Sequence, residues 1–247
     1  MCAGRTGSTL LAAALADSGA DFAMPLPGNW DPSGGGMEHP LVQRAAGRFH
    51  RAYRMAPEKP VGRFRAAAWN WERRQGKRDL ARVLDAARYL KGINIDLAVQ
   101  PAFQLGYFPR IILSYRSFEA QARSRFTMRG HSSLDALARL YNRIYGNGLL
   151  LLQIYGGCAV SFDELVTDAP HRTAALLAET TGLPGPALER ALGARMTAGT
   201  PSDTKDCTLD EEAARLYRAL ETMKGRAIPA SRQAIRSWSG RTAPPAV

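Results

Sequence analysis

The first residues able to do chemistry stand at the start of the chain, in Gly4-Arg5-Thr6-Gly7-Ser8-Thr9. Glycine lets the backbone curl until successive N–H groups point at one anion. A helix opening directly afterwards adds the positive end of its dipole. Arg5 supplies a charged fork, and Ser8 and Thr9 supply hydroxyls, so the chemistry on offer is the holding of a phosphate or sulfate. The segment is not a Walker A loop, which ends in Gly-Lys-Ser/Thr; no Lys precedes Ser8, and the basic residue comes before Gly7. A Gly-rich turn that only caps a helix would use the same residues. The adjacent acid and imidazole of Glu38-His39, with Asp31 nearby, could take a proton from an attacking group. An acidic residue at an ordinary helix start explains Glu38 equally well.

The elements that must position these groups are legible from periodicity and punctuation. Leu10–Ala16 reads as a helix opening out of the glycine loop, 25–36 as a Gly/Pro/Asn/Asp-rich loop, and 39–55 as a helix. Residues 79–90 carry apolar side chains at 80, 83, 84, 87 and 90, the helical period. Arg110–Tyr115 and Cys158–Phe162 read as short buried parallel strands. Helices follow from Glu119 onward and over 133–155, the latter capped by Ser132 or Ser133. Two more cover 169–181 and 209–223, with Gly225 ending the last. Trp69 and Trp71 alternate as strand or loop residues would, near Arg63 and Arg65; such a stretch can bind sugars or nucleotides, or pack on the core. Strands alternating with helices give an α/β layer fold with a small parallel sheet. A phosphate loop of this kind follows a buried strand. Only Met1, Cys2 and Ala3 precede it, so a short or truncated first strand is expected.

Composition narrows the class. The chain has 247 residues, is 45% hydrophobic and 22% charged, and carries a net charge of +11. These are globular values, consistent with one domain over 1–240 and a frayed tail over 241–247. Only five of the 33 basic residues are lysines (Lys59, Lys77, Lys91, Lys205 and Lys224). Arginine's planar fork suits phosphate and sulfate, though a solvated basic surface has the same composition. Cys2, Cys158 and Cys207 are too few and too scattered for a disulfide framework, and no Cys/His cluster has metal-ligand spacing. No basic n-region precedes the first apolar residues, and the run 148–154 is too short to span a bilayer. A soluble cytoplasmic protein with no metal requirement is expected.

Three blocks in order carry a resemblance. Arg5-Thr6-Gly7-Ser8-Thr9-Leu10-Leu11 resembles the 5′-phosphosulfate loop of the sulfotransferases that use 3′-phosphoadenosine 5′-phosphosulfate (PAPS), with Gly4 where the bacterial form has proline. The segment 109–116 followed by Ser124 resembles the family's 3′-phosphate motif, with Ser117-Phe118 in place of the usual Asp-Pro. The segment 160–170 resembles the family's next strand-to-helix corner, with Phe162 in its tyrosine position. Residues 31–40 are similar to a family segment on the acceptor side, and Lys91-Gly92 to a basic position near the sulfate. Lys224–Arg226 is loosely similar to a C-terminal basic element, which a helix C-terminus explains fully.

The resemblance implies a P-loop-like three-layer α/β fold with several added helices. It implies sulfuryl transfer from PAPS to a hydroxyl or amine of an unidentified acceptor, such as a glycan, lipid or small metabolite, leaving adenosine 3′,5′-bisphosphate. On it, Arg5, Thr6, Gly7, Ser8 and Thr9 hold the 5′-phosphosulfate, and Arg116 and Ser124 the 3′-phosphate. Arg5, Glu38 and His39 are the catalytic candidates. Glu38 is the first choice of base, His39 the second and Asp31 the third. An ATP-dependent P-loop phosphotransferase would need a loop lysine and a strand-end aspartate for magnesium, for which Asp163 is the nearest candidate. A non-catalytic basic module binding nucleic acid or another polyanion would leave the Arg116/Ser124 spacing unexplained.

Overall fold

The computed structural model describes residues 6–22, 38–55, 63–92, 94–129, 133–167, 170–195 and 209–239. In chain order the elements are α1 (Ser8–Asp17), α2 (Pro40–Met55), α3 (Arg63–Leu84), α4 (Asp96–Gln104), β1 (Ile111–Tyr115), α5 (Phe118–Arg129) and α6 (Leu134–Tyr155). They continue with β2 (Gly157–Ser161), α7 (Phe162–Thr167), α8 (Pro170–Thr181), α9 (Gly185–Arg195), α10 (Glu211–Met223), β3 (Ala227–Ile228) and α11 (Arg232–Ser239). The chain divides into two compact units, Met1–Ala20 with Arg110–Ile235, and Asp21–Pro109 with Arg236–Val247.

In the first unit the sheet order is β1-β2-β3. β1 and β2 are parallel, in register from Ile111 opposite Gly157 to Tyr115 opposite Ser161. β3 joins β2 antiparallel over two residues, so the sheet is mixed rather than purely parallel. Both long strands are almost wholly buried, as their continuous apolar runs require. β2 starts and stops one residue earlier than expected, and Phe162 opens α7 instead of ending the strand. The expected first strand, at Met1–Ala3, lies outside the described residues.

α6 buries a stripe of Leu137, Tyr141, Tyr145, Gly148, Leu152 and Tyr155, and packs against β1, α5 and α10. Its cap is Ser133, one of the two serines the sequence offered, and accepts from the Ala136 N–H. Gly148 lets the helix approach β1 closely. A Cβ there would lie 2.8 Å from a methyl of Leu113. β2 is entered through Gly156 and Gly157, at φ 74° and 137°. A Cβ on Gly157 would run into the Ile111 carbonyl oxygen.

In the second unit α2 and α3 pack as an antiparallel pair. Arg48 bridges to Glu72 and Asp79, at 3.3 and 3.1 Å, and Arg51 to Glu72 at 2.8 Å. Gly76 brings α3 onto the ring of Phe49, where a Cβ would stand 2.8 Å from that ring. α3 begins well before residue 79. Trp69 and Trp71 therefore lie in a helix, not in a strand or loop. The first turns of α3 lack an apolar period, so periodicity does not mark them as helical. Among the described residues no helix is long and apolar enough to cross a membrane, and no group of His, Cys, Asp and Glu could hold a metal ion.

Gly157→Ala tests the tightest point of the sheet. The clash is with backbone at a positive φ, so the variant should lose about 3 kcal/mol or more in chemical denaturation. Gly19→Ala, where a Cβ meets open space, should lose only about 1 kcal/mol from its positive φ. Equal losses would show that the close approach at Gly157 is not what constrains β1 and β2.

Candidate functional site

The three blocks singled out in the sequence meet at one corner of the first unit. Thr6 is fully buried, and its Oγ1 lies 2.7 Å from Oγ of Ser114 in β1. Gly7 follows in the left-handed region, at φ 68°, and its carbonyl accepts the Leu11 N–H that starts α1. A Cβ on Gly7 would stand 2.7 Å from the ring of Phe162 and 3.3 Å from a methyl of Leu165. The ring of Phe162 lies beneath the guanidinium of Arg116, 4.3 Å from its centroid. The loop before α1, the end of β1 and the start of α7 are thus linked by named contacts.

Arg116 is held by its backbone as well. Its carbonyl accepts from Tyr141 Oη at 3.0 Å and from Gln121 Nε2 at 3.2 Å. The same Gln121 donates to Tyr145 Oη at 2.8 Å, and that hydroxyl donates to the Ser114 carbonyl at 3.1 Å. Ser117, fully buried, caps α5: its Oγ accepts from the Ala120 N–H and its carbonyl from the Gln121 N–H. Ser117 thus does the work of a helix cap. The Arg116 side chain is mostly buried, with Nε 3.9 Å from Asp163 Oδ1, an attraction beyond hydrogen-bond reach. Ser124 lies two turns into α5 and is partly buried.

Ser8 and Thr9 occupy the first turn of α1, both partly buried, and no side-chain cap closes that N-terminus. The arrangement places a helix N-terminus, two hydroxyls and an aromatic-backed arginine in one unit, groups that suit an anion. Arg5 and Asp31 lie outside the described residues.

On the second unit Glu38 stands two residues before α2, largely buried. Lys91 reaches Oε1 at 3.4 Å and Gln43 donates to Oε2 at 3.0 Å. Lys91 is therefore a partner of Glu38, a link the sequence did not indicate. Nδ1 of His39 accepts the Leu41 N–H at 3.1 Å, and its carbonyl accepts the Gln43 N–H. His39 thus starts the helix as a cap, and a base role would fall to its Nε2.

Behind β1 runs a network that periodicity cannot reveal. Tyr115, buried, donates to Glu221 of α10 at 2.7 Å. Lys224 bridges Glu221 at 3.2 Å and Glu164 of α7 at 3.1 Å. Lys224 is thus committed to two carboxylates. Burial pushes the Tyr115 phenol well above its ordinary value, and the Glu221 carboxylate adds to the shift. Burial opposes the charge of Lys224, but its two carboxylates raise it on balance. Burial also pushes the Cys158 thiol up to about 11.

Comparison with family models, with curated proteins and with solved structures returns no match.

The raised Tyr115 and Lys224 values predict the alkaline limb of stability. A group whose folded pKa is raised stabilises fully below its unfolded pKa and loses that contribution as pH rises through the shifted range. Stability should hold to about pH 10 and then fall. Tyr115→Phe should cost about 1 kcal/mol at pH 7 and make the fall between pH 9.5 and about 11 shallower, in urea titrations across that range. An unchanged slope would mean that Tyr115 ionises as freely in the folded as in the unfolded chain.

Proposed function

We propose that the chain is a PAPS-dependent sulfotransferase with a P-loop-like nucleotide site in its first unit. One observation carries this reading. The loop at Thr6–Gly7, the strand end at Ser114–Arg116 and the corner at Phe162 touch one another, and each belongs to a block that resembles the family. On this reading the loop amides, Ser8, Thr9 and Arg5 hold the 5′-phosphosulfate at the N-terminus of α1. Arg116 and Ser124 hold the 3′-phosphate. The aromatic backing of Arg116 contributes about 0.5–2 kcal/mol to keeping its fork in place, whatever the state of the site. Asp163 would be exchanged for the phosphate, a stronger partner through bidentate hydrogen bonds.

In the reaction an acceptor hydroxyl or amine attacks sulfur in line. The bond from sulfur to the bridging phosphate oxygen breaks, and the electron pair leaves on adenosine 3′,5′-bisphosphate. Charge growing on that oxygen is offset by the loop amides, the helix N-terminus and Arg5. The acceptor proton passes to a base, for which Glu38 is the first candidate and His39 the second. The Glu38–Lys91 pair gives the base a fixed orientation, and Lys91 a place beside it. No lysine stands in the loop to favour an ATP-dependent transfer instead.

Two measurements test this. Adenosine 3′,5′-bisphosphate should raise the melting temperature more than AMP or ATP, by the equivalent of about 2.7 kcal/mol at 100 times its Kd. Arg116→Ala should abolish that advantage over AMP while leaving AMP binding nearly unchanged. Equal stabilisation by AMP and the bisphosphate in the unaltered protein would exclude a 3′-phosphate site. With an acceptor that supports turnover, Glu38→Gln should reduce the rate by about 10²–10⁴ and leave bisphosphate affinity as it was. A near-normal rate in Glu38→Gln together with a large loss in His39→Asn would move the base to the histidine.

A further inference from the structure

On α3, Trp71, Arg74, Arg78 and Arg82 recur at helical spacing and fall on one face. All four are exposed, Trp71 by 52%. The stripe spans about 16 Å at the 1.5 Å rise per residue, with the arginines about 6 Å apart along the axis. An ordinary solvated helix face mixes signs, with glutamate and lysine paired at i,i+4. Here Arg74/Arg78 and Arg78/Arg82 are like charges at that spacing, each pair opposing the helix by about 0.2–0.5 kcal/mol. The acids of this helix are elsewhere. Glu72 and Asp79 turn to α2, where they pair with Arg48 and Arg51. Among the described residues Arg74, Arg78 and Arg82 have no acidic partner. A row of charges that weakens its own helix is complementary to an anionic chain laid along it.

The direction of the row matters too. α2 and α3 are antiparallel, because Arg51 meets Glu72 while Arg48 reaches on to Asp79. The Arg82 end of the stripe therefore lies towards the start of α2. Glu38 stands there, joined to Lys91 beyond α3. The indole of Trp71, at the far end, has the Arg48 guanidinium 5.0 Å from its ring centroid. Single-stranded nucleic acid is held by successive stacking aromatics in a basic groove. This face offers one half-exposed indole and three guanidinium forks, which better suits a sugar ring followed by regularly spaced carboxylates or sulfates.

We propose that the exposed face of α3, from Trp71 to Arg82, binds a linear anionic polysaccharide and leads it towards Glu38. That the polymer is the sulfuryl acceptor rests on the function proposed above; that it binds here does not.

The test is a binding measurement that needs neither nucleotide nor turnover. A fluorescein-labelled polyuronate is titrated by anisotropy, with neutral dextran and a single-stranded oligonucleotide of equal charge beside it. The polyuronate should bind, neutral dextran should not, and affinity should fall steeply between about 50 and 200 mM salt. Arg74→Gln/Arg78→Gln/Arg82→Gln should weaken binding at least about tenfold and flatten the salt dependence. Its melting temperature should stay level or rise, since like charges have been removed. Trp71→Ala should weaken binding about three- to tenfold while leaving the salt slope alone. Unchanged affinity in the triple variant would overturn the proposal. So would equal binding of neutral dextran, or oligonucleotide binding tenfold tighter than polyuronate. Loss of the bisphosphate effect with polyuronate binding intact would instead sink the sulfuryl-transfer reading alone.

Discussion

Gly7 carries no side chain, and the corner around it depends on that. Phe162 occupies the space where a Cβ would be, so the loop before α1 and the start of α7 close on each other. The left-handed φ at Gly7 turns the chain into α1 directly after the buried Thr6. The same ring that presses on Gly7 supports Arg116 on its face. One aromatic therefore sets the spacing between a helix N-terminus and a strand-end arginine. On the function proposed above, the holding of an anion depends on that spacing, because hydrogen bonds to an oxyanion weaken with misplacement.

Around this contact several polar groups are satisfied in pairs. The Thr6 and Ser114 hydroxyls are buried together, and either one alone would cost about 1–3 kcal/mol. The carbonyl of Ser114 accepts from Tyr145, and that of Arg116 from Tyr141 and Gln121. β1 can thus end inside the unit without stranding its backbone groups. On its other side Tyr115, Glu221, Lys224 and Glu164 tie α10 and α7 to the same strand end. These bonds hold the backbone at Arg116, while its side chain lies over Phe162 and near Asp163.

The second unit joins its helices by ion pairs as well as by apolar packing. Arg48 and Arg51 meet Glu72 and Asp79 between α2 and α3, where Gly76 and Phe49 let the helices approach. With the acids drawn inward, the outer face of α3 is left with arginines of one sign. Single charges on a surface say little. An unmixed row at i,i+4 spacing does say something, because the helix bears the repulsion in its own stability.

Much of the frame was legible in the sequence. The runs at 110–115 and 158–162, the helix over 133–155 with a serine cap at 132 or 133, and the loop opening α1 all rest on local rules: burial on both faces of a strand, the helical period, the reach of a hydroxyl to an N–H three residues on. Those rules act within a few residues, so the residues themselves carry them. The tertiary structure decided the rest. It made a helix of Trp69 and Trp71, whose segment has no apolar period. It joined Glu38 to Lys91 across 53 residues and Tyr115 to Glu221 across 106. It set Phe162 between Gly7 and Arg116. Contacts between residues far apart depend on which surfaces meet after the elements form, and no local spacing encodes that.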